Sequence, residues 1–178
     1  MKALKFLPVL LLFVFTSCST VRVATDYDKE VNFNQYHSFA FYKPGIDKAK
    51  ISDLDKKRIL RAIESELSNK GMMKSDSPDL LVSIFTKEKE RIDVYNNNFG
   101  YGWGWNPYWY GAYNTSNVSR TAEGTLFIDL IDAKTNSLVW QGMGTADLVT
   151  QDMEKKEARI REIVMEILAQ YPPGSKKK

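Results

Sequence analysis

The chain of 178 residues contains one cysteine, Cys18, and one histidine, His37. A single thiol excludes an intramolecular disulfide, and one cysteine with one histidine cannot make a four-coordinate His/Cys zinc site. Ser-His-Asp or Cys-His catalysis would have to use His37. That residue lies in an aromatic stretch beside Tyr36 and Phe39, no G-x-S-x-G occurs in the chain, and a structural role is expected for it. Phosphate loops are lacking too, because glycines 100, 102 and 104 lead into aromatic residues rather than a lysine and a helix. No D-x-D-x-D-G calcium loop is present, so neither metal nor cofactor is expected. Charge of one sign is lacking as well. The formal net charge of +3 includes Lys2, Lys5 and the tail lysines 176–178, which leaves the body of the chain slightly acidic and argues against a phosphate-tracking nucleic-acid surface.

Long apolar runs are scarce. The one near the start, Phe6 to Phe15, follows Lys2 and Lys5 and falls short of the roughly 20 residues that a membrane-spanning helix needs. Residues 1–17 therefore read as a cleaved secretory signal. Phe15-Thr16-Ser17-Cys18 resembles the lipobox of bacterial lipoproteins, with phenylalanine where that pattern usually carries an aliphatic residue. The resemblance implies a diacylated, N-acylated Cys18, whose several chains satisfy the condition for stable anchoring and whose sulfur is then lost to catalysis. Residues 18–20 would be a short tether. The uncharged Ser19 and the absence of a following acidic run imply an outer-membrane lipoprotein facing the periplasm.

The rest is long enough for one domain, expected over 21–173, with an insertion at 96–117 and a basic tail at 174–178. Val21–Tyr27 alternates apolar and polar residues, and His37–Tyr42 is aromatic, so both read as strands. Ser52 is a ready N-cap for a helix from about Asp53 to Lys70, with Asp53 and Asp55 in its first turn and Gly71 as its stop. Ile59, Leu60, Ile63 and Leu67 form its apolar stripe. Pro78 precedes the near-continuous apolar run DLLVSIF, a buried central strand, and the pattern continues to Tyr95. Its hairpin partner is Val118–Asp132, with Ala122, Leu126, Ile128 and Leu130 on one side. A turn over 133–136 leads to a strand holding Trp140 in the core, with Gly142 and Gly144 permitting twist or close packing. A last helix, about Asp152 to Gln170, carries Ile160, Ile163, Val164, Ile167, Leu168 and Tyr171 on one face and stops at Pro172-Pro173. The expected fold is α+β, order β-β-α-β-β-β-α. About five strands form an antiparallel-rich sheet with two helices on one face.

The tip of the hairpin is FGYGWGWNPYWYGAYN, Phe99 to Asn114. Four glycines and Pro107 deny it helical or strand continuity. Tyr101, Trp103, Trp105, Tyr108, Trp109, Tyr110 and Tyr113 are the candidate contact residues. Such a dense aromatic group needs cover. The protein itself, a sugar face, the membrane interface or another protein could supply it. Two carboxylate pairs are candidates for hydrolytic chemistry. Asp26 and Asp28 flank Tyr27 and share a strand face if the strand extends that far, while Asp129 and Asp132 lie on and after a strand; turn and capping roles explain Asp28 and Asp132 more cheaply.

The pattern Thr25–Asp28, Phe33, Tyr36, Ser38, Phe39, Gly71, Pro78-Asp79-Leu80, Glu123–Asp129, Leu138–Gly142 and Tyr171-Pro172-Pro173 resembles the bacterial lipoproteins classed as domain of unknown function 4136 (DUF4136). The resemblance covers nearly the whole chain after the signal. It implies an envelope lipoprotein and no established reaction. The segment 128–142 followed by a helix is also similar to the ending of envelope lipoprotein domains that act as assembly factors or activators of wall enzymes, a likeness of fold that transfers no site residue. The expected function is a non-catalytic interaction module in cell-envelope maintenance or assembly, held to the membrane by the lipid on Cys18 and facing an envelope protein. The alternatives are a glycan or peptidoglycan binder using residues 99–113 and a carboxylate-dependent hydrolase.

Overall fold

A computed structural model describes residues 21–95, 117–147 and 152–174. The expected signal, Cys18, the seven candidate aromatics of the hairpin tip and residues 175–178 of the basic tail all lie outside the described residues. The elements are β1 (Arg22–Tyr27), β2 (Ser38–Phe41), α1 (Lys43–Ile46), α2 (Asp53–Asn69), β3 (Met73–Lys74), β4 (Leu80–Tyr95), β5 (Asn117–Asp132), β6 (Leu138–Asp147) and α3 (Met153–Leu168). A single 3-10 turn, Phe33–Gln35, lies between β1 and β2. The α+β class and the antiparallel bias hold. The count differs from the expected five strands and two helices: among the described residues there are six strands and three helices. The two-residue β3 is too short for periodicity to reveal, and α1 is a four-residue turn started by Pro44 near its N-terminus.

One sheet runs in the order β1-β6-β5-β4-β2-β3. β4, β5, β6 and β1 pair antiparallel, while β2 is parallel to both β4 and β3. The two early strands thus lie on opposite sides of the sheet. β4 and β5 pair without a shift from Leu80↔Asp132 to Tyr95↔Asn117, so the strand begins one residue before the expected Val118 and Asn117 belongs to it rather than to the insertion. β6 leaves this pair at Glu123↔Asp147. Beyond that level β4 and β5 continue as a two-stranded ribbon, about 20 Å long at the usual rise per residue.

Helix α2 starts as its sequence requires. The Ser52 Oγ accepts from the Asp55 backbone N–H as an N-cap and donates its own proton to the Asp55 carboxylate at 2.9 Å. It ends in a Schellman motif: Gly71, at φ +84°, donates to the Ser68 carbonyl, Met72 donates to the Leu67 carbonyl, and both Met72 and Leu67 are buried. Asp152 caps α3 by accepting from the backbone N–H groups of Glu154 and Lys155. Contacts of Asp55 with Lys156 and of Arg58 with Met153 show that α2 and α3 start at the same end and run side by side.

These helices cover one face of the sheet. Ile59, Ile63 and Leu67 from α2 and Ile163, Val164, Ile167 and Leu168 from α3 bury Leu80, Val82 and Ile84 of β4, Leu126, Ile128 and Leu130 of β5, and Trp140 of β6. Ile160 and Leu60 pack at the margin of this core. Gly142 is required by close packing: a Cβ there would collide with the Trp140 ring and with Ile167. The turn after β5 is organised by Asp132, whose Oδ1 accepts from the backbone of Lys134 and Thr135, with Asn136 at φ +56°.

Candidate functional site

The residues that pattern this chain meet at one end of the sheet. Tyr27 packs edge-on against Phe33 (6.0 Å between ring centres), Phe33 against Tyr36 (6.3 Å) and Tyr171 (5.9 Å), and Tyr171 against Trp140 (5.5 Å). The Tyr36 hydroxyl donates to Asp132 at 2.9 Å. Burial, reinforced by that bond, pushes the Tyr36 hydroxyl up to about 12, and burial also raises Tyr171. Asp79 accepts from the backbone N–H groups of His37 and Ser38 and from the Ser38 hydroxyl, and the His37 and Ser38 contacts hold its carboxyl below the usual range. These interactions join β2 to the start of β4. Aromatic packing and backbone capping account for Tyr36, Asp79 and Asp132 without a ligand.

His37 is exposed, and its recorded bond is made by its backbone N–H. Of the expected carboxylate pairs, Asp26 and Asp28 line one pocket of about 250 Å³ with Gln141, whereas Asp129 and Asp132 separate. β1 ends at Tyr27, and Asp28 accepts from the Glu30 backbone N–H in a turn just beyond it. Asp129 and Asp132 are three apart on one strand and so face opposite sides of the sheet. Asp129 lies on the side away from the helices, where Gln141 Nε2 donates to it at 2.7 Å; burial raises its carboxyl despite that bond. The register puts Asp26, Gln141, Asp129 and Ser83 in one row on this side of the sheet, where Gly45 of α1 packs against the buried Ser83 hydroxyl. Among the described residues no group of three or more His, Cys, Asp or Glu side chains could hold a metal ion.

Two features have the character of contact surfaces. The first is the uncovered sheet face. Phe85 and Phe127 pair across β4 and β5 with ring centres 5.3 Å apart, and the Lys87 Nζ lies 5.5 Å from each centre. Phe85 is 44% exposed. The run DLLVSIF suggested burial on both sides; its even-numbered residues Leu80, Val82 and Ile84 are buried beneath the helices, whereas Phe85 meets solvent because no described element covers this part of the other face.

The second is a groove of about 190 Å³ between the starts of α2 and α3 and the base of the ribbon. Ile51, Ile59, Leu126 and Ile160 make it apolar, and Asp55, Lys156 and Arg159 give it polar walls. Asp55 joins the helices, accepting from Lys156 at 2.6 Å and Arg58 at 2.7 Å. Burial alone would raise its carboxyl, but hydrogen bonds from Lys156, Ser52 and Arg58 together bring it down. Neither surface was foreseen from the sequence. The apolar residues at both parities of β4 were the available signal for the uncovered face, given only two long helices to cover the sheet.

A PDZ domain protein from Parabacteroides distasonis ATCC 8503 superposes with a TM-score of 0.51 at 19% identity over 90% of this chain, which spans 37% of that protein's length. The PelC dodecamer from Paraburkholderia phytofirmans gives a TM-score of 0.50 at 11% identity, covering 84% of this chain and 96% of the PelC chain. At these identities the likeness is one of fold. No curated protein sequence matches the chain. The model of the family described as "Domain of unknown function (DUF4136)" matches residues 23–173, from the first edge strand through the proline pair after α3, and the chain belongs to that family.

Proposed function

We propose that this protein is an outer-membrane lipoprotein, anchored through a lipid on Cys18 and facing the periplasm, whose folded part is a non-catalytic module that binds another envelope protein. The observation that carries the binding role is the Phe85–Phe127 pair on the uncovered sheet face, with Lys87 over both rings. Interface cores favour such aromatic groups with a cation at hand, and 44% exposure of a phenylalanine in an interior strand gives the chain nothing on its own. The positions around it hold carboxylate and amide groups in hydrogen bonds with each other rather than a catalytic arrangement. The anchor rests on the charged start, short apolar run and Cys18.

Cross-linking in intact cells followed by affinity purification tests this reading, comparing the native chain with Phe85→Ser. Loss of one defined cross-linked protein, with the melting temperature little changed, is the expected result. An unchanged set of cross-linked proteins in Phe85→Ser would overturn the role of this face. The aromatic segment 99–113 supports a second reading as a glycan contact. A saturable change in tryptophan fluorescence with wall fragments, absent when that segment is replaced by a Gly-Ser linker, would favour it.

A further inference from the structure

We infer that the end of the sheet from which the β4–β5 ribbon departs is the surface that this protein lays on a phospholipid bilayer. The inference rests on the reading of Cys18 as the lipid anchor and adds the orientation and contact surface of the domain. It follows from where β1 enters the sheet. Arg22 is in register with Thr145, Thr145 with Thr125, and Thr125 with Lys87, so these four residues stand in one row across four strands. β1 runs from this row toward Tyr27 and Trp140, and Val21, which precedes it, therefore lies at the end of the sheet from which the ribbon departs.

The lengths then restrict the arrangement. Three residue steps separate Cys18 from Val21, a reach of at most about 11 Å when fully extended. The ribbon continues beyond the level of Lys87 for more than about 20 Å. A domain tethered so closely has no room to hold a ribbon of that length clear of the membrane while pointing it at the membrane. The ribbon must therefore lie against the bilayer and bring the sheet end with it.

The chemistry of that end fits a phospholipid surface. The groove opens at the same level, bounded by Thr86 and Leu126 and by Glu88 and Gly124. Its apolar walls, Ile51, Ile59 and Ile160, suit the glycerol and upper acyl region. Lys156 and Arg159 line the groove, paired with Asp55 and Glu162, while Arg22 and Lys87 lie at the same level on the far face of the sheet. The acidic groups there have partners or face solvent: Asp55 is bound by Lys156 and Arg58, Glu123 pairs with Arg22, and Glu88 is exposed. The opposite end, with the Asp132–Asn136 turn and the Tyr171 cluster, would point into the periplasm.

Amide hydrogen exchange tests the orientation. The acylated protein, with the mass of Cys18 checked, is placed in vesicles of phosphatidylethanolamine and phosphatidylglycerol and compared with the vesicle-free Cys18→Ser chain. Peptides from 51–55, 86–95, 117–126 and 153–160 are expected to exchange at least twofold more slowly on the vesicles, with 133–137 and 171–174 unchanged. Slowing at 133–137, or no slowing at the ribbon end, would overturn the inference. If Cys18 carries no lipid, the anchor reading fails by itself. The Cys18 thiol, the only one in the chain, is then coupled to a maleimide phospholipid in the same vesicles. The geometry demands the same protection pattern from that imposed anchor, and its absence would overturn the inference there too.

Discussion

Tyr36 and Asp132, 96 positions apart in the chain, are joined by a hydrogen bond of 2.9 Å that ties the segment before β2 to the last residue of β5. The hydroxyl is the donor and the carboxylate the acceptor. Thr135, Tyr36 and Lys134 together hold Asp132 below its ordinary value of 3.8 against the effect of burial, while burial and the same bond move Tyr36 upward.

Tyr36→Phe should destabilise the fold by about 1.5–3 kcal/mol, the range for a hydrogen bond to a charged acceptor. The pH dependence has two limbs. Tyr36 is raised from 10.0 to about 12, so its contribution is complete below pH 10 and is lost as pH rises toward 12. Asp132 is lowered, so its contribution is present above 3.8 and lost as pH falls. Urea unfolding from pH 3 to 11 should show both limbs reduced in the variant. Unaltered limbs would mean that this bond does not form in solution.

Gly142→Ala places a methyl group against the Trp140 ring and Ile167 at the centre of the core. Overpacking of this kind costs roughly 1–3 kcal/mol. The denaturant midpoint should fall, with tryptophan emission shifting to the red if the Trp140 ring is displaced. A variant as stable as the native chain would show that the ring has room to move.

Asp129→Asn should stabilise the protein at neutral pH by on the order of 1 kcal/mol or less, since the amide oxygen can still accept from Gln141 while the buried charge is removed. Burial raises this carboxyl. Its stabilising contribution is therefore complete below 3.8 and is lost as pH rises through the folded value. The gain in the variant should vanish at pH 3, which thermal melts at two pH values would show.

Asp55 and Lys156 fasten α2 to α3 at 2.6 Å, with Arg58 on the second carboxylate oxygen. Asp55→Ala should lower stability by about 1–2 kcal/mol, more than an exposed ion pair contributes. A double-mutant cycle with Lys156→Ala should give a coupling of about 1 kcal/mol. Because Asp55 is held below 3.8, its contribution is present above that value and disappears as pH falls. Zero coupling would assign the loss to the Ser52 and Arg58 contacts of Asp55.

Much of this architecture is legible in the sequence because its signals are local. Ser52 and Gly71 mark the limits of α2, Asp132 to Asn136 turn the chain, and the β4–β5 hairpin follows from two matched strand patterns separated by a segment that can be neither helix nor strand. Trp140 is in the core as its apolar setting suggests. The family pattern is legible for a related reason, since its Tyr27, Phe33, Tyr36, Trp140 and Tyr171 form one packed cluster.

What periodicity cannot carry is long-range placement. Nothing in β1 or β2 states which place in the sheet each will take, because a strand's pattern specifies the face it buries and not its neighbour. The tertiary structure alone decides that β1 joins β6 and β2 runs parallel to β4, and with them the level at which the chain enters the sheet. It alone separates Asp129 from Asp132 and brings Lys156 to Asp55 across 101 positions. The sequence by itself determined the two long helices, their caps, the ribbon and the family, because those depend on residues within a few turns of one another. The uncovered aromatic face, the groove and the entry of β1 at the ribbon end of the sheet depend on contacts between distant segments, whose energies exist only once the sheet has formed.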